Sequence, residues 1–309
     1  MKGPRILFIT QCGAKLGFGH LVRSQRLARA LSPRYQIAFL AEGIKGFEKF
    51  IRPHDIWQKI KPSACIVTDL VQPQRLKYFA EIVQHHPIIS IHDMGLGQFD
   101  SDCAIDGSIV QIVPYPQNRK NLFFGARYMI LDHLPERRRG FQAHREAIIM
   151  NFGGGDVAPI YRKALKAMRL LKDPMEIRAC RGYMSWDSIK CPAVKWYGPG
   201  DNMWDAIDGC QIGLCAGGIS LYELAASGVP ALVISHHRAQ ERTAKEFESR
   251  GAAISLGTKR RVTIDLIRRG VETLRCAVET RRKMGRAGRQ LVDGHGIDRV
   301  CKIIERYAS

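Results

Sequence analysis

Short apolar runs, each closed by a glycine or a polar residue, punctuate the chain at 5–10, 36–40, 64–68, 87–91, 147–150, 194–197, 211–216, 231–235 and 252–256. Runs of this length bounded by turn residues read as buried strands. Between them lie stretches with helical spacing. Leu21, Ala28 and Leu31 share one face of a helix over 21–31, the stripe of a helix that packs on a sheet. Further helices are predicted over 74–84, 158–171, 261–276 and 277–285, with an amphipathic stretch at 47–51 and a short helix opening at 202–205. Gly294 to Gly296 stop one helix, and a final one runs to Tyr307. Strands alternating with helices predict parallel, doubly wound sheets, whose ligand crevice lies beyond the strands' carboxyl ends. Thr68, Asp69, His92 and Asp93 stand at such ends. Each either borders the crevice or caps the following helix.

Three strand-to-helix turns are rich in glycine. The first runs from Gln11 to His20 with glycines at 13, 17 and 19. That spacing is not G-x-G-x-x-G, so a dinucleotide fingerprint is not supported. His20 stands at the mouth of the helix with Arg23 one turn on. A helix N-terminus disfavours the protonated imidazole and so keeps a neutral base available. The second turn is Asn151-Phe152-Gly153-Gly154-Gly155-Asp156, which suits a phosphate cradle or simply a tight turn. The third follows the strand at 211–216, where Gly217-Gly218 lead to Ser220 as an N-cap, with Glu223 three residues on in the spacing of a capping box. That helix ends at Gly228-Val229-Pro230. Its turn points backbone N–H groups at an anion, although many such turns bind nothing.

At 309 residues, 45% hydrophobic, the chain suffices for two α/β domains, each with its own core. The basic stretch at 135–145 divides them, giving a first domain over 1–134 and a second over 146–309. No apolar run approaches a membrane span, and the amino terminus reads as a first strand and not as a signal peptide. The nine cysteines are scattered without C-x-x-C. This pattern predicts reduced thiols in a cytoplasmic protein and no disulfide framework. No cluster has metal-ligand spacing, so neither a metal nor another cofactor is expected. The formal charge of +19 favours anionic partners or a solvated basic surface. No helix-turn-helix, zinc-finger or RNA-binding signature accompanies it, which argues against nucleic acid.

The chain resembles the UDP-sugar hydrolase family of the pseudaminic acid pathway and its spore-coat-polysaccharide relatives, within the GT-B group that includes MurG-type glycosyltransferases. The motifs that carry the likeness span 17–300. Gly17-Phe18-Gly19-His20-Leu21-Val22-Arg23 with Leu27-Ala28 matches G-x-G-H-x-x-R…L-A, and Phe152-Gly153-Gly154 with Asp156 matches F-G-G-x-D. Gly217-Gly218 with Glu223, Gly228-Val229-Pro230 and Ala239-Gln240 match the donor-sugar half. Gly125 to Leu131 match G-x-x-Y-x-x-L, and Leu291 to Val300 match the closing L-V-D-G-x-G-x-x-R-V. The resemblance implies two Rossmann-like domains facing across a cleft. It implies His20 as catalytic base, and Gly17, Gly19, Arg23 and Asp93 at the substrate. Gly153, Gly154, Gly155, Gly217 and Gly218 then meet the diphosphate, and Glu223 holds the ribose, with Ser220 and Gln240 beside it. Trp204 falls where such proteins supply base-stacking contacts, although it suits a core equally. The implied reaction is metal-independent hydrolysis of a UDP-linked amino or deoxy sugar. A glycosyltransferase with the same donor site, in peripheral contact with an anionic membrane, is the alternative. Three places depart from the family pattern: His92 stands where aspartate is usual, Leu70-Val71-Gln72-Pro73 lack the expected tyrosine and further aspartate, and Asp132 stands where arginine is usual.

Overall fold

The computed structural model describes residues 3–13, 18–42, 63–70, 86–135, 146–153, 157–182, 191, 193–198 and 201–308. The helix predicted over 74–84 and the stretch at 47–51 lie outside them. Two compact units emerge, residues 1–133 with 295–309, and residues 134–294.

The first unit holds a six-stranded parallel sheet. Its strands are β1 (Arg5–Gln11), β2 (Gln36–Glu42), β3 (Cys65–Asp69), β4 (Ile88–His92), β5 (Cys103–Asp106) and β6 (Leu122–Phe124), in the order β2-β1-β3-β4-β5-β6. β5 and β6 are short and carry no pattern that sets them apart in the sequence; parallel pairing with β4 and with each other makes them strands. Helix α1 (Gly19–Leu31) lays Leu27, Ala28 and Leu31 on Ile6, Phe8 and Val67 of the sheet.

The second unit repeats the plan with β7 (Ala147–Asn151), β8 (Glu176–Cys180), β9 (Val194–Tyr197), β10 (Cys210–Cys215), β11 (Ala231–Ser235) and β12 (Ala253–Thr258), ordered β12-β11-β10-β7-β8-β9 and all parallel. Its helices are α2 (Ala158–Arg169), α3 (Met203–Ile207), α4 (Ile219–Ser227), α5 (Arg238–Ser249), α6 (Ile264–Cys276) and α7 (Val278–Leu291). The apolar pattern hardly announces α5, because it buries only Thr243, Ala244 and Phe247.

The last helix, α8 (Gly296–Ala308), departs from the sequence expectation, which placed it in the second domain. Its stripe of Ile297, Val300, Cys301, Ile303 and Ile304 joins the core built on Ile6, Phe8, Val67 and Ile89, so it completes the first unit. Gly296 allows this approach, since a Cβ there would lie 2.1 Å from the Met129 carbonyl oxygen. The two segments that match G-x-x-Y-x-x-L and the closing motif are therefore packing partners. No helix among the described residues is long and apolar enough to cross a membrane.

In each sheet the chain reverses its winding between two central strands. The switch falls between β1 and β3 in the first sheet and between β7 and β10 in the second. Successive helices leave such a point on opposite faces, which opens a crevice at the carboxyl ends of the two strands.

Candidate active site

The switch point of the first sheet gathers His20, Arg23 and Asp69. His20 is the second residue of α1, directly after the β1 turn, and Asp69 is the last residue of β3. The His20 Nδ1 lies 2.6 Å from Asp69 Oδ1. Arg23 clamps the same carboxylate through Nε to Oδ2 at 3.0 Å and Nη2 to Oδ1 at 2.7 Å. Arg23 Nη2, which gives one of its two hydrogens to Asp69, is also 3.0 Å from His20 Nδ1. A lone pair on Nδ1 would face the carboxylate oxygen repulsively, so Nδ1 carries the proton and donates to Asp69. That tautomer leaves Nε2 as the proton acceptor.

Burial separates the three. The Asp69 side chain is fully enclosed and Arg23 nearly so, whereas 13% of the His20 side chain reaches solvent. Burial by itself pushes the Asp69 carboxyl up, but the Arg23 charge, the His20 imidazole and the hydrogen bonds outweigh it and hold the group below its usual range. Burial likewise opposes the Arg23 charge, and Asp69 and then Asp93 more than restore it. Neither Asp69 nor Arg23 therefore exchanges protons near neutrality.

Asp93 follows β4 and lies 4.0 Å from Arg23 with its side chain 42% exposed. Ser108 donates to Asp93 Oδ1 at 3.0 Å and accepts from the Met94 N–H, and Oδ2 is the oxygen that lies 4.0 Å from Arg23. The turn behind it needs left-handed backbone at Met94 and Gly95. It is pinned because Asp106 accepts from the Gly95 and Ser108 N–H groups and from the Tyr115 hydroxyl.

Packing accounts for the departures at Asp132 and His92, whereas residues 71–73 lie outside the described residues. Asp132 accepts from Arg26 Nε at 2.9 Å and Arg29 Nη1 at 3.0 Å, tying the segment after β6 to α1. His92 is buried, pairs with Ser90 Oγ at 2.6 Å, and lies beside the rings of Phe99 and Tyr115. Burial, reinforced by the Arg119 charge, lowers its pKa from 6.5 to about 4. Between those values the unfolded chain binds a proton that the native imidazole refuses, so stability falls as pH drops from 6.5 towards 4. The full loss is about 3 kcal/mol. Urea unfolding of His92→Phe across this range is expected to show a shallower decline than the parent. Parallel curves would exclude His92 as the source.

At the switch point of the second sheet, the β10 turn presents Gly217 and Gly218. A Cβ on Gly217 would lie 2.4 Å from the Gln240 carbonyl oxygen, so this glycine lets α5 approach. The Gln240 side chain accepts from the His236 N–H at 2.9 Å, and His236 Nε2 donates to the Phe152 carbonyl at 2.8 Å. These bonds tie the β11 turn to α5 and to the β7 turn. Gly153 has φ +91° with open space where a Cβ would stand, and its N–H donates to the Asn151 side chain. The capping box expected from Ser220 and Glu223 does not form. Helix α4 begins earlier, with Gly218 as N-cap and no side-chain cap. Ser220 is therefore inside the first turn, and Glu223 turns inward, buried, where its charge helps to raise the Cys180 and Cys215 thiols after burial itself. Trp204 is buried in α3. Gly19 opens α1; Gly17, Gly154 and Gly155 lie outside the described residues. Among the described residues no three His, Cys, Asp or Glu side chains gather as a metal site.

Two doubly wound, six-stranded parallel sheets of this order make the GT-B fold. The structural comparisons agree on the fold. The calicheamicin glycosyltransferase CalG4 superposes with a TM-score of 0.64 at 15% identity, over 99% of this chain and 98% of that one. S. aureus MnaA, solved with UDP, gives 0.66 at 11% identity over 99% and 97%. In sequence the chain is similar to the spore coat polysaccharide biosynthesis protein SpsG of Bacillus subtilis (strain 168), 27% identical over 95% of both chains. No protein-family model matches it.

Proposed function

We propose that the protein hydrolyses a UDP-linked amino or deoxy sugar, releasing UDP and free sugar for cell-surface glycan biosynthesis of the pseudaminic type. The observation that carries this reading is the His20–Asp69–Arg23 arrangement at the first switch point. His20 Nε2 takes a proton from water as the water oxygen bonds to the anomeric carbon and the bond to the diphosphate oxygen breaks. Asp69 holds the imidazole in the required tautomer and balances its charge while the proton is on it. Asp93, half exposed beside Arg23, accepts from the sugar. The turns at Gly153–Gly155 and Gly217–Gly218 stabilise the leaving diphosphate, and Glu223 takes the ribose, with Ser220 and Gln240 beside it. UDP binding by MnaA and the likeness to SpsG support the nucleotide and the glycan setting.

The +19 charge favours a second reading, transfer to an acceptor at an anionic membrane surface, with His20 deprotonating the acceptor hydroxyl. Incubation with a panel of UDP- and CMP-sugars, with and without acceptors, separates the two. Hydrolysis releases UDP at the same rate in both arms, whereas a transferase releases it only with acceptor. Release from neither arm overturns both readings. Turnover is expected to survive EDTA; complete loss restored by magnesium would transfer the phosphate role from the glycine turns to a metal.

A further inference from the structure

The turn after β4 holds a left-handed residue, Met94, at φ +56°. A side chain other than glycine keeps that conformation only where its surroundings enforce it. Here the segment after β5 does so. The Met94 N–H donates to Ser108 Oγ at 2.8 Å, and its carbonyl accepts from the Ile112 N–H at 2.7 Å and the Val113 N–H at 3.3 Å. Leu96 closes the turn by donating its N–H to the Asp93 carbonyl at 2.9 Å. Asp106, fully enclosed at the end of β5, accepts from Gly95, Ser108 and Tyr115 and so fixes both segments together.

The Asp93 carboxylate takes no part in these bonds. Its Oδ1 accepts from the Ser108 hydroxyl at 3.0 Å, and its Oδ2 lies 4.0 Å from Arg23 Nη1. Arg23 in turn binds Asp69, which pairs with His20. A hydroxyl has a single hydrogen to give. Ser108, 1% exposed, gives its hydrogen to Asp93 while its oxygen receives the Met94 N–H. One buried side chain therefore holds both the strained backbone of the turn and the carboxylate that the turn carries. The Asp93 side chain is nonetheless 42% exposed, so a ligand can reach it.

We infer that Ser108 is a positioning residue for the proposed reaction, fixing Asp93, and through it the sugar, relative to His20. The inference rests on the proposed nucleotide-sugar reading and names what orients its sugar contact. The sugar group that Asp93 meets is a donor, a hydroxyl or an amide N–H, because a carboxylate only accepts.

A double-mutant cycle tests it, with initial rates on the UDP-sugar of the panel that the parent turns over fastest and UDP binding on the same preparations. Ser108→Ala is expected to lower kcat/KM by about tenfold to a hundredfold, the effect of a misplacement of ~1 Å. Asp93→Ala should cost about as much, the usual effect of losing a charged hydrogen bond. Adding Ser108→Ala to Asp93→Ala should then change kcat/KM by less than about twofold, because nothing remains to be positioned. UDP affinity should be unchanged in all three, since UDP carries no sugar. Ser108→Thr keeps the hydroxyl and should retain most of the activity. The melting temperature should fall with Ser108→Ala in both backgrounds, since the Met94 N–H loses its acceptor. A loss of kcat/KM by the same factor in both backgrounds would make Ser108 purely structural and overturns the inference. Full activity in Ser108→Ala or in Asp93→Ala does so too. A parent that releases UDP from no sugar of the panel refutes the nucleotide-sugar reading itself, and the inference falls with it before any substitution is made.

Discussion

Turnover of His20→Asn is expected to be lower than that of the parent by about 10²–10⁴, the usual contribution of a positioned general base. Asparagine keeps a hydrogen-bonding group near Asp69 but cannot accept and release a proton at the Nε2 position. UDP affinity should barely change, because the nucleotide contacts are assigned to the other unit. The melting temperature should also stay close to that of the parent, since Arg23 still compensates Asp69 through two hydrogen bonds. A purely structural histidine would reverse the pattern, lowering stability and sparing turnover per folded molecule. Turnover within about threefold of the parent, too small a change for a lost base, would refute the mechanism.

The second large effect is expected at Asp69, and it is double. Asp69→Asn removes a charge from a fully enclosed position and leaves the buried Arg23 cation without its main partner. Stability should fall by about 3–5 kcal/mol, the cost of breaking a buried pair from one side. Turnover should fall as well, because an amide can offer its N–H to Nδ1 and stabilise the wrong imidazole tautomer. Adding Arg23→Met separates the two consequences. The double variant should recover much of the stability, since no uncompensated charge remains, and none of the turnover. Chemical denaturation and initial rates on the same three preparations check this. Recovery of both together would mean that Asp69 acts only on the fold.

The expected boundaries of β1, β3, β7, β10 and β11 lie within a residue of those observed, because a buried parallel strand is a local run of apolar residues closed by a turn. His20 and the glycine turns stood out as candidates for the same reason, since each is a pattern within a few consecutive positions. The α4 cap was misplaced because Ser220 and Glu223 satisfy a local rule that the tertiary structure does not use. Gly217 and Gly218 must turn the chain close to Gln240, so the helix opens at Ile219 and rotates Glu223 inward.

The sequence by itself determined the alternation of strand and helix, the parallel doubly wound class and the glycine turns that follow its strands. All of these follow from periodicity and glycine placement within a few residues. The tertiary structure decided which distant groups complete those turns. Asp69 reaches His20 across 49 positions, and Asp132 reaches Arg26 across 106. It also decided that α8 closes the first unit, through an apolar stripe that the sequence shows but cannot assign to a partner. The physical reason is shared by all three. A hydrophobic face or a buried charge specifies what kind of partner it needs, and only chain topology brings one candidate within a few ångströms.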